Sequence, residues 1–98
     1  MSAVDEARII LDPKKLKLPP RPPIEAIEVE DYVDWEGKEG LSILAILGED
    51  TTDADLTGEA AIAIKTAIHE ALLAKGIGEF PHISFAKRSE LEGSDAGD

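Results

Sequence analysis

At 98 residues the chain has room for one compact domain, and its formal net charge of −11 sets that body against phosphate backbones and other polyanions. Aromatic residues are only 4% and cysteine is absent, so the core must be aliphatic, without disulfides or thiolate metal sites. No apolar run approaches the roughly 20 residues of a membrane span, and the first six residues lack the basic and apolar regions of a secretion signal. These features lead us to expect a cytoplasmic protein with no nucleic-acid and no membrane partner.

Residues 1–6 read as a frayed end. Ala7 to Leu11 has the apolar, β-branched composition of a short edge strand, stopped by Asp12-Pro13 because proline lacks the ladder donor. Five of the six prolines then fall within residues 13–23, together with Lys14, Lys15, Lys17 and Arg21 and no acid. Such a segment is extended polyproline II and cannot be helical. Residues 1–23 thus form a basic, proline-rich arm. Pro19-x-x-Pro22 and Pro20-x-x-Pro23 have the spacing that aromatic-lined grooves read, with Arg21 as the cation. The arm is either such a docking peptide or a stiff spacer.

Residues 24–91 are expected to make one compact domain. From Ile24 to Trp35, apolar Ile27, Val29 and Val33 alternate with Glu28, Glu30 and Tyr32, which predicts a strand with Trp35 capping one end of the core. Glu36-Gly37-Lys38-Glu39-Gly40 follows as a hairpin turn. The returning strand, Leu41 to Leu47, is apolar on both parities, as in a central strand covered on both faces. One helix covers only one face, so the other must be closed by the arm, by a second copy, or left partly open.

An acidic connector, Gly48 to Asp55, precedes the helix. Thr57 suits the N-cap, and Ala60 to Lys75 contains neither proline nor glycine. Gly76 stands where a left-handed C′ residue belongs, with Ile77 folding back on Leu72. At 100° per residue, Ala60, Ala61, Ile64, Ala67, Ile68, Ala71 and Leu72 fall within an arc of about 140°, the core face. Glu59, Thr66 and Glu70 lie opposite. Ile62, His69 and Leu73 make a second, smaller stripe, either half-buried at the sheet margin or in contact with a partner. His82 to Lys87 is the last strand, with Ile83 and Phe85 inward. It should run parallel to Leu41–Leu47, although its neighbour in the sheet is open. Residues 92–98 have the composition of a disordered acidic tail.

The elements predict an α+β fold: a two-layer α/β sandwich of order β-β-α-β, with an extra N-terminal edge strand and one main helix, about 57–75, on a three- to four-stranded sheet.

Catalytic patterns are missing where the chemistry would need them. Asp53-Ala54-Asp55-Leu56-Thr57-Gly58 imitates the start of an EF-hand loop, but the twelfth position holds Ile64 in place of a bidentate Glu. The segment is either a solvated loop or a weak cation site drawing on Asp50, Asp53, Asp55 and Glu59. His69-Glu70 lacks the second histidine of a zincin, and no phosphate-cradling glycine loop or nucleophile elbow is present. No cofactor is expected. A hydrolase would require His69 or His82 beside a hydroxyl in a defined pocket.

The expected function is therefore a small acidic, non-enzymatic protein–protein interaction or regulatory module. It should self-associate as a homodimer and offer acidic surface to a basic protein partner. Its expected contact residues are Ile62, His69 and Leu73 on the helix, Leu44 and Ile46 on the far face of the central strand, and Pro20 and Arg21 in the arm. The alternative is a weak cation-binding or sensing domain using the acidic loop.

Overall fold

The computed structural model describes residues 3–52 and 54–91; the tail 92–98, expected to be disordered, and Asp53 lie outside them. Five elements follow in order: α1 (Ala3–Ile10), β1 (Ile24–Val33), β2 (Glu39–Leu47), α2 (Gly58–Ala74) and β3 (Phe80–Lys87). The fold is α+β, with a three-stranded mixed sheet of order β1-β2-β3 and helices packed on it. No helix among the described residues is long and apolar enough to cross a membrane.

The first helix corrects an expectation. Ala7–Leu11 was expected as an edge strand after a frayed end, yet residues 3–10 are helical and Leu11 continues the turn by donating its amide to the Ala7 carbonyl at 2.9 Å. The apolar spacing explains the difference. Val4, Ala7 and Leu11 recur at helical intervals and are all buried, so a helix buries one stripe where a strand would split it between two faces. Asp5 and Glu6 in the first turn and Arg8 in the last suit the helix dipole. Tertiary packing overrides the β-preference of Ile9 and Ile10; Ile9 is left exposed.

β2 occupies the centre, antiparallel to β1 and parallel to β3, which resolves the open neighbour of the last strand. Ile43 pairs with Val29 on one side and Ile83 on the other, and this row meets Ile64, Ile68 and Leu72 of α2, Val4 and Ala7 of α1, and Leu11 just beyond it in one core. Both helices thus share one face of the sheet. Leu16, Leu18 and Ile24 also pack against this core. Lys15, Leu16 and Lys17 of the arm line a groove with Ala67 and Ala71 of α2, on the helix side of the sheet.

α2 has the ends its sequence calls for. The Thr57 hydroxyl oxygen accepts from the Ala60 amide at 3.1 Å. At the other end Gly76 has φ +74°, its amide donates to the Leu73 carbonyl, and the Ile77 amide donates to the Leu72 carbonyl at 3.0 Å. That pair of bonds is the Schellman pattern, and buried Ile77 joins Leu72 in the core.

The hairpin end departs from expectation. Trp35 was expected to cap the core but is 92% exposed, and Val33 is exposed as well. β1 and β2 pair out to Val33–Glu39, beyond the buried Leu41 row, so these side chains overshoot the core. The turn is held instead by Asp34, whose carboxylate accepts from the Glu36 and Lys38 amides at 2.9 and 2.8 Å, with Gly37 at φ +87°.

Candidate functional site on the open sheet face

The face of the sheet away from the helices is built by strand parity. In β1 it carries Ala26, Glu28, Glu30 and Tyr32; in β2, Gly40, Ser42, Leu44 and Ile46; in β3, Phe80, His82, Ser84 and Ala86. Tyr32, Gly40 and Phe80 form one cross-strand row, and Glu30, Ser42 and His82 the next.

Gly40 makes this end of the face unusual. A Cβ there would lie 2.8 Å from the Phe80 carbonyl oxygen and 3.4 Å from two atoms of the His82 ring. With no side chain on the middle strand, the rings from the two outer strands lean together over it. The Tyr32 and His82 ring centroids are 4.2 Å apart at 43°, and Phe80 meets His82 at 5.1 Å and 62°. These tilted, edge-on arrangements suit the ring quadrupoles. All three rings are exposed, Phe80 at 65%, and Glu28 and Glu30 stand exposed along the same side of β1. Aromatic faces beside carboxylates attract a cation twice over, through the ring quadrupole and through charge.

Around the outer strand runs an open groove of about 530 Å³, bordered by Lys65 and His69 of α2 and by His82, Ser42 and Ser84 of the sheet. Both histidines and two hydroxyls are thus gathered here. Among the described residues no hydrogen bond joins a serine to an imidazole. In the row Glu30–Ser42–His82 the serine lies between carboxylate and ring, whereas a relay needs the imidazole in the middle. Lys65 turns the other way, with Nζ 5.9 Å from the centre of the Phe85 ring.

The acidic loop before α2 is engaged by the arm. Arg21 reaches Asp55 at 2.6 Å and Asp50 at 3.3 Å, and Asp55 also accepts from the Thr52 amide at 3.0 Å. The hydrogen bond from Arg21, followed by that from Thr52, holds the Asp55 carboxyl well below its ordinary range, at about 2. Arg21 is raised in turn, chiefly by its bond to Asp55. Glu59 is exposed at the start of α2. Nearby, Glu49 is lowered by hydrogen bonds from Ser89, whose amide lies 3.0 Å from its carboxylate, tying the turn at 88–91 to the loop.

The expected contact residues are scattered. Ile62, His69 and Leu73 are all exposed along α2, with Ile62 at 66%. On the far sheet face Ile46 is fully buried and Leu44 half-buried, so these two do not join the helix stripe in one exposed apolar patch. Pro20 is exposed beside Arg21, while Pro22 is buried and Pro23 closes against Gly48, accepting its amide at 3.0 Å. Missing from the sequence reading was the Tyr32–His82–Phe80 cluster. Its signal was the shared parity of Glu28, Glu30 and Tyr32, which acquires meaning only when β3 is placed beside β2. Comparison with known protein families, with curated proteins and with solved structures finds no match for this chain.

Proposed function

We propose that this chain is a non-enzymatic protein-interaction module that receives a basic partner on the open face of its sheet. The observation that supports this reading is the pairing, on the helix-free face, of exposed Glu28 and Glu30 with three exposed aromatic rings. A net charge of −11 adds long-range attraction for such a partner and would speed the encounter. The row order of Glu30, Ser42 and His82 favours binding over nucleophilic catalysis. Against the cation-sensing alternative stands Arg21, which already pairs with Asp50 and Asp55 and offsets one of their two charges.

Titration calorimetry with a lysine/arginine-rich polypeptide and with polyglutamate tests the reading. Saturable binding of the basic chain only, weakening as salt rises, is expected. Binding of neither chain, or of both alike, would refute it.

Homodimerisation is a second reading, favoured by Ile62 and Leu73, which leave apolar surface on α2 with 66% and 58% exposure. Sedimentation at rising salt tests it: screening should strengthen a dimer of two acidic bodies, and a chain that stays monomeric throughout would exclude it.

A further inference from the structure

We propose that the ring cluster is a receptor for an arginine side chain of that basic partner, with the guanidinium against Tyr32, His82 and Phe80 and its charge met by Glu30. This deepens the reading above and rests on it.

Three features point to arginine in particular. The rings are tilted against one another at 43° and 62°, so their exposed faces turn in different directions. A planar, weakly hydrated guanidinium can stack flat on one such face and still donate in its own plane to a carboxylate; a compact, strongly hydrated ammonium gives up more solvation and covers less of the ring. Glu30 lies one row from Tyr32 on the same strand face and is exposed, so it belongs to the same surface patch as the rings. Gly40 lets the cluster form: a Cβ there would press on the Phe80 carbonyl, and the space it leaves is taken by the His82 ring. The chain also shows the carboxylate half of this chemistry internally, where Asp50 and Asp55 hold Arg21.

The test compares oligo-arginine with oligo-lysine of equal length under the same buffer and salt. Oligo-arginine should bind the wild-type chain more tightly. Tyr32→Leu, which keeps apolar bulk but removes the π face, should weaken oligo-arginine by about two- to five-fold, and Tyr32→Phe should retain it. Glu30→Gln should weaken it more than Glu70→Gln, which removes the same charge from the outer surface of α2. Equal affinity for the two oligomers, or equal effects of the two glutamate changes, would overturn the receptor and leave an acidic surface acting through charge alone. Failure of both oligomers to bind would remove the underlying interaction reading as well. Circular dichroism of each variant confirms that losses are not unfolding.

Discussion

The two faces of the sheet are made by the same three strands and have opposite character. On the covered face, Val29, Ile43 and Leu41 are sealed under two helices, and the fully buried residues are all aliphatic, with Phe85 packed at their margin. The open face holds two carboxylates, two serines and three rings, with Ile46 as its one fully buried large side chain. β2 contributes to both, which is why its sequence is apolar on both parities without being equally buried on both. The contrast teaches that burial is concentrated on one face, which leaves much of the other exposed for the recognition proposed above.

The sharpest way to break that contrast is to mutate each face and measure unfolding. Ile68→Ala, in the fully buried centre of the covered side, should cost about 2–5 kcal/mol through lost burial and a residual cavity. Glu70→Ala, on the solvent side of the same helix, should change stability by less than about 0.5 kcal/mol. Similar losses would mean that α2 is rotated from the orientation described.

Gly40→Ala is the next largest, and it joins the two faces. Its Cβ would press on the Phe80 carbonyl, so denaturant titration should show a loss of about 1–3 kcal/mol, with the ring cluster disturbed in the same variant. Aromatic proton shifts of Tyr32 and His82 report the second effect. Unchanged stability and ring shifts would show that the middle strand does not need a glycine there.

Smaller still is the effect of cutting the arm from the acidic loop. Arg21→Ala should return the Asp55 carboxyl from about 2 toward the ordinary value of about 3.9. Because its folded-state pKa is depressed, the stabilisation from this contact is complete above the unfolded carboxyl's range and fades as pH falls toward 2. The variant should lose that part of its acid sensitivity. Carbon-13 carboxyl shifts followed through an acid titration give both values; an Asp55 midpoint that stays low in the variant would place the cause with Thr52 alone.

Much of the covered face was legible in the sequence because it obeys local rules. Thr57, Gly76 and the spacing of Ile64, Ile68 and Leu72 each specify their roles within a few residues, and the structure places all of them as the spacing demands. α1 was misread because the β-preference of Ile9 and Ile10 masked the longer interval from Val4 through Ala7 to Leu11. Trp35 was misassigned because parity says which side a residue faces and nothing about where the core ends. The open-face cluster was beyond local reading: Tyr32 and Gly40 meet across the hairpin, but Phe80 and His82 lie far along the chain, and only the placing of β3 beside β2 brings them to this pair. Arg21, in turn, finds Asp50 and Asp55 across a comparable separation, so the choice between spacer and docking peptide could not include a third role as an internal clamp.

The central claim is that recognition belongs to the open face, and amide-shift mapping during addition of oligo-arginine tests it most directly. The account predicts the largest saturable shifts at residues 30–32, 40–42 and 80–84, with little change along Ile62–Leu73 of α2. Shifts confined to residues 49–55 or to the outer surface of α2, with Tyr32, Gly40 and His82 unmoved, would contradict it.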